Sequence, residues 1–297
     1  MPIHETAALA AAACWALTGM VSATPAQHLG AVRFNQLRMV MVFILLGGFV
    51  AATGSWRTIP SAHAMTIVLS GFIGIFVGDT ALFLTMNRLG PRRTGILFAM
   101  NAPMAALLAW IWLGEILTPR ALAGIALTMA GVTLAIVFGK RRNQLHHWES
   151  IKGPLWIGVG LGLGAALSQA LGSLIVRPVM AEGADPVAAS AMRTGVAALC
   201  LTLFVRLPIR SLRQTGRLTP PIAARVALSG ILAMGLGMTL LLFALSGGEV
   251  GIVSTLSATT PALILPLLWL RTGEMPAAGA WLGAALVIIG SGMIFQA

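Results

Sequence analysis

Charge is what this 297-residue chain has least of: Asp, Glu, Lys and Arg together make up 9% of it, against 58% hydrophobic residues. A soluble domain carries roughly 25% charged residues, so a water-soluble single domain is excluded. Acidic residues are the scarcest, 8 against 19 Lys and Arg. Neither a Gly-Lys-Ser/Thr nucleotide loop nor a His-Glu-x-x-His zinc spacing occurs. ATP-driven pumping is therefore not expected, and neither is a metal or other cofactor. The two cysteines, Cys14 and Cys200, fall inside apolar stretches. Their spacing suggests no disulfide or metal site, and they read as small packing residues. His146-His147 lies in a basic loop and is most simply solvated.

What is present is a series of apolar runs of about 20 residues, each long enough to cross a hydrocarbon core as a helix. Ten are expected, near 5–24, 34–53, 64–86, 94–113, 120–138, 155–176, 187–206, 223–245, 250–270 and 276–295. Short connections leave no room for a separate soluble module. The first run ends in Val21-Ser22-Ala23, which resembles a signal-peptidase site, but no Lys or Arg precedes it. It is expected to stay as the first span. The fold class is an all-α integral membrane protein. In the sixth span, Gly158 with Gly162 and Gly160 with Gly164 are small-residue pairs at a spacing that lets a neighbouring backbone approach.

The chain also repeats itself. Ser70-Gly71, Gly78, Thr80 and Leu82 return 159 positions later as Ser229-Gly230, Gly237, Thr239 and Leu241. Gly114-Glu115, Ala121, Gly124, Leu127 and Gly131 return at the same offset as Gly273-Glu274, Ala280, Gly283, Leu286 and Gly290. Pro103 pairs with Pro261 at an offset of 158. The expected organisation is a first five-helix repeat over 1–138, a basic linker over 139–153 and a second repeat over 154–297. Five is odd, so the second repeat enters the membrane inverted. Secondary transporters are commonly built this way, with the site between the halves.

Basic residues set the orientation. With ten alternating spans, one side collects fifteen of the nineteen Lys and Arg, Arg38 among them, and the other has Arg57, Arg120 and Arg177; Arg193 lies inside a span. By the positive-inside rule the rich side is cytoplasmic, which points to a bacterial inner membrane with both termini periplasmic. The basic loops are attracted to anionic lipid. Nucleic acid is not an expected partner, because no aromatic–basic binding pattern accompanies the charge.

At Pro103, the Gly114-Glu115 pair, Gly124, Gly131 and their copies, the chain resembles the drug/metabolite transporter superfamily. More narrowly it is similar to the EamA-type ten-helix branch, which includes YddG-like exporters of aromatic amino acids. The resemblance covers essentially the whole chain and implies export of amino acids or related metabolites. Many relatives keep both termini in the cytoplasm, whereas the arginine count here places them outside.

Candidate chemistry is sparse. Asp79 is a lone carboxylate deep in the third span, and its repeat mate is Met238. An acid at that depth costs about 2.5–3.5 kcal/mol to insert and faces a cavity or a partner. It is a candidate proton or substrate-charge site, or a structural Asp bonded to a hydroxyl or a helix end. Arg38 and Arg193 read as mates at an offset of 155. Arg193 could meet a substrate carboxylate, snorkel, or tie two helices together. Pro103 and Pro261 are candidate hinges, freeing carbonyls near Ala99 and Ser257. Trp15 and Thr18 in the first span, Phe83 and Asn101, Ser168 and Gln169 in the sixth, and Thr260 complete a mostly apolar cavity expected among spans 1, 3, 4, 6, 8 and 9. Most other tryptophans read as interfacial belt residues or packing, and Glu115 with Glu274 as helix-start residues.

The sequence thus points to a monomeric secondary transporter or facilitator exporting amino acids, aromatic and other apolar ones favoured, by alternating access. Proton coupling and uniport both remain open. A multidrug or nucleoside-like exporter is the alternative. An intramembrane lipid-modifying enzyme would need a cluster of reactive groups at one depth, and a scaffold would not need paired prolines.

Overall fold

The computed structural model describes residues 3–138, 153–207, 216–260, 262, 263, 267 and 277–294. Pro261, Glu274, His146, His147 and residues 139–152 of the expected linker lie outside the described residues. Inside a bilayer a backbone has no water to bond, so its N–H and C=O groups must be satisfied within the segment, as a helix does. The described regular structure is accordingly helical. In the first half the helices are α1 (Ile3–Leu29), α2 (Ala31–Thr53), α3 (Ser61–Gly71), α4 (Gly78–Ala99), α5 (Asn101–Leu113) and α6 (Pro119–Val137). In the second they are α7 (Leu155–Ala181), α8 (Pro186–Val205), α9 (Pro220–Gly230), α10 (Thr239–Gly247), α11 (Val250–Ser257) and α12 (Ala278–Ile294). Seven stretches are long and apolar enough to cross a membrane, and Pro119–Leu134 and Ala278–Ile294 are shorter apolar helices. The ninth expected span is described through α11 and a few residues beyond it.

Helix ends follow local chemistry. The side chains of Thr118 and Asp185 accept the backbone N–H of Ala121 and Ala188, and a proline follows each cap at the first helical position. Gly114 closes α5 with φ 68°, a left-handed value that glycine adopts without strain. This is what the Gly of the Gly114-Glu115 pair supplies.

Two internal irregularities also repeat. A π-helical segment over Phe72–Val77 joins α3 to α4, and another over Ile231–Met238 joins α9 to α10. Their first residues are 159 apart, the offset of the sequence repeat. The fourth span breaks at Met100, and the ninth breaks at Ala258 and Thr259. The Asn101 amide donates to Phe98 O at 2.6 Å, and the Thr259 hydroxyl donates to Leu256 O at 2.7 Å. Each side chain bonds a carbonyl at the break, Leu256 O also accepting the Thr259 N–H at 3.2 Å. Pro103 offers no N–H to Ala99 O, and the helix breaks beside that carbonyl at Met100, where the interruption was expected. The proline sits in the first turn of α5, where a missing N–H costs little, and the break precedes it.

The two halves pack against each other through pairs of spans that run antiparallel. In the first and eighth spans His4 meets Phe243 O, Trp15 meets Ala233 O and Ser22 meets Ser229, so one numbering rises as the other falls. In the third and sixth, Ser70 donates to Gly172 O at 2.6 Å and Gly158 lies against Leu89. In the second and seventh, Gln36 bonds Thr202 while Phe43 covers Gly195. In α6 and α12, Gly124 faces Gly290 and Gly131 faces Gly283, so close that a methyl at Gly131 would stand 2.6 Å from the Gly283 carbonyl oxygen. Every such pair is its own mate or has a mated copy, as a two-fold relation between inverted halves requires.

The small-residue pairs of the sixth span divide. Gly158 and Gly162 do admit Leu89 and Leu97, whereas no described atom lies within 4 Å of where a methyl would sit at Gly160 or Gly164.

Candidate functional site

Two mated arginines lie inside the protein, each beside one of the π segments. Arg38 was expected at a cytoplasmic end, but it is inside α2, which begins at Ala31, and its side chain is 4% exposed. Its Nη2 donates to Asp79 Oδ2 at 2.7 Å and to Asn35 Oδ1 at 2.8 Å. The phenyl rings of Phe34 and Phe83 flank the guanidinium at 5.6 and 5.1 Å and stand edge-on to each other. Asp79 keeps 13% of its side chain exposed and so borders open space that Arg38 does not reach. The two charges satisfy each other in a setting where either alone would be strongly unfavourable.

Arg193 is 0% exposed, so it does not snorkel to an interface. Its Nη1 lies 3.3 Å from Met238 Sδ, and among the described residues its Nε and Nη2 have no hydrogen-bond partner. Gly74 of the first π segment leaves room for it, since a methyl there would sit 3.0 Å from Nη2. The surroundings of the two arginines correspond. Gly71 lies against the backbone of Arg193, and its mate Gly230 lies against Arg38. Asp79 answers Arg38, and its mate Met238 answers Arg193. Arg193 is also close enough to Asp79 to act on it electrostatically. Two guanidiniums and one carboxylate leave the cluster with one net positive charge.

The other expected residues surround this centre unevenly. Trp15 Nε1 donates to Ala233 O of the second π segment at 3.0 Å, and the indole fills the space left by Gly237. Ser168 is buried against Gly78. Thr260 donates to Ala12 O at 3.2 Å, tying the ninth span to the first. Gln169 is half-buried beside Ser168 in α7. Thr18 spends its hydroxyl on Cys14 O in its own helix, and Asn101 spends its side-chain amide on Phe98 O. Spans 2 and 7, outside the expected set, supply the two arginines. The offset of 155 marked these residues, but nothing in the sequence linked Asp79 to Arg38, 41 positions away. An apolar cavity of about 330 Å³ lined by Phe43, Gly47, Val50, Trp56, Ile59 and Met192 lies elsewhere and touches none of the candidates. No group of three or more His, Cys, Asp or Glu among the described residues could hold a metal ion.

At one end of the bundle, polar contacts join the halves. Glu115 accepts the Val250 backbone N–H at 2.8 Å, at the start of α11, and lies 4.0 Å from Arg177 Nε, which donates to Gly248 O of its own half at 3.0 Å. His63 and Glu182 approach to 2.7 Å. Glu115 is thus a helix-start residue, for a helix of the opposite half. Burial pushes its carboxyl above the usual range, against the pull of the Val250 N–H and of Arg177.

A family model described as the EamA-like transporter family matches residues 3–137 and 156–296. A solved crystal structure 17% identical in sequence aligns over 99% of this chain and 95% of its own, with a TM-score of 0.79. No curated protein matches the sequence.

Proposed function

The chain belongs to the EamA-like transporter family, and on that premise we propose that it exports amino acids, aromatic and other apolar ones foremost, by alternating access between its two halves. The observation that carries this reading is the pair of broken spans. The fourth and ninth spans break at corresponding places, between halves whose paired spans run antiparallel. Broken helices at equivalent places in inverted repeats mark a midplane site around which the two halves can rock. Phe34, Phe83 and Trp15 beside the buried charges suit an apolar, and in particular an aromatic, side chain.

Asp79 is the group placed to handle a proton. Its exposed edge can receive one, and protonation would release Arg38. The halves furnish each other's packing surfaces, so a monomer suffices. With Arg38 removed from the cytoplasmic count, the other fourteen basic residues on that side still outweigh Arg57, Arg120 and Arg177. A bacterial inner membrane with periplasmic termini remains the reading.

The test is uptake of radiolabelled phenylalanine, threonine and methionine into proteoliposomes, with and without a pH gradient, beside Asp79→Asn. Saturable, mutually competitive flux supports the reading, and loss of gradient dependence in the variant assigns the proton to Asp79. Absence of flux for all three with folded protein rejects amino acids and leaves multidrug or nucleoside-like export.

A further inference from the structure

We infer that Arg193 is the anchor for a carboxylate on the transported molecule, which is therefore a monocarboxylate. The inference rests on the transport reading above and narrows its substrate class. It starts from a difference in charge between the two halves beside the π segments. In the first half, Arg38 of span 2 faces Asp79 of span 3, with a 2.7 Å contact. In the second, Arg193 of span 7 faces Met238 of span 8, which holds the position of Asp79 in the repeat and offers a thioether sulfur at 3.3 Å. A thioether is a weak acceptor with no charge. Nε and Nη2 of Arg193 have no partner among the described residues, although the side chain is wholly buried. A guanidinium carries five donors in a fixed fork that fits a carboxylate with two parallel bonds.

Asp79 meets Arg38 through one Nη2–Oδ2 contact, with Arg38 Nε left without a partner among the described residues, so in this setting a carboxylate is held by a single guanidinium nitrogen. A substrate carboxylate on Arg193 would reproduce this contact under the two-fold relation and bring the cluster of two guanidiniums and one carboxylate to neutrality. The surrounding elements suit arrival and departure. Arg193 lies between Gly74 of the first π segment and Met238 at the end of the second. π segments interrupt the regular hydrogen-bond ladder and recur at functional sites. Arg193 is sealed in this conformation, and relative movement of spans 3 and 8 at these segments opens a path to it. A substrate bearing one negative group and an apolar body meets both the charge and the lining.

The inference is tested by binding to the full-length protein in lipid nanodiscs, measured by calorimetry with 3-phenylpropionate, which has a carboxylate but no amine. Met238→Asp supplies the counter-charge that the repeat lacks, and Met238→Asn changes the side chain without the charge. 3-Phenylpropionate should bind the wild type and Met238→Asn, and bind Met238→Asp at least about tenfold more weakly, or about 1.4 kcal/mol. Met238→Asp should also unfold at or above the wild-type temperature, because it neutralises Arg193. Equal binding to all three proteins, no binding to folded wild type, or a lower unfolding temperature for Met238→Asp overturns the anchor. Phenylalanine flux in proteoliposomes separates the two claims. If 3-phenylpropionate behaves as expected but phenylalanine does not move, the amino-acid reading fails and the anchor stands. If phenylalanine moves equally in wild type and Met238→Asp, the anchor fails and the amino-acid reading stands.

Discussion

A guanidinium or carboxylate inside a bilayer survives only with its charge answered, so substitutions at Arg38 and Asp79 should be strongly coupled. Asp79→Leu leaves Arg38 buried and unanswered, and should cost about 3–5 kcal/mol. Arg38→Met combined with Asp79→Leu should recover most of that loss, since apolar replacements of a buried pair are near neutral. Thermal unfolding in detergent of the two single variants and the double variant gives the coupling directly. Outside the spans, the sign for Glu115 follows from its raised pKa. The folded chain holds this proton more tightly than the unfolded chain, so Glu115 favours the folded state at low pH. That contribution is lost as pH rises from the ordinary carboxylate range through the raised value. The unfolding temperature should fall over that window, and Glu115→Gln should flatten the fall. Sequence alone located Asp79, Arg193 and Met238 as unusual, because charge at mid-span and broken repetition are visible in one dimension. It misplaced Arg38, which lies about two helical turns inside a span whose start was read three residues late.

At the scale of helices, close approach decides which glycines matter. Gly131→Ala would drive a methyl into the Gly283 carbonyl across the joint of α6 and α12, at a cost of about 1–3 kcal/mol. Gly164→Ala, on the outside of α7, should be neutral in the same unfolding assay. The sequence could not separate Gly162 from Gly164, because a spacing of four describes a stripe on the helix and not what lies opposite it. The π segments were equally hidden. Their residues continue the apolar pattern of spans 3 and 8, and only the backbone hydrogen-bond ladder records the shift. The spans themselves were legible from run length, and the breaks in spans 4 and 9 were foreshadowed by the prolines one turn downstream.

For the molecule as a whole, the duplication was readable as an offset of 159, and the odd number of spans per half implied the inversion. Which spans meet across the halves was not readable, since antiparallel contacts between distant segments leave no periodicity in the chain. If rocking of the halves moves substrate, a covalent tie between them should stop it. Ser22 and Ser229 place their hydroxyl oxygens 2.9 Å apart on α1 and α9. With Cys14 and Cys200 replaced, cysteines at these two positions should halt flux in proteoliposomes when oxidised and restore it when reduced. The pairing of Arg38 with Asp79 also bears on how the chain is made. Both partners belong to the first half, 41 residues apart, so they can neutralise each other as soon as the third span leaves the ribosome and enters the bilayer. Contacts such as Gln36 with Thr202, 166 residues apart, must wait for the seventh. The half synthesised first can thus rest in lipid with its buried charge already settled, while its glycine-lined faces await the half still being translated.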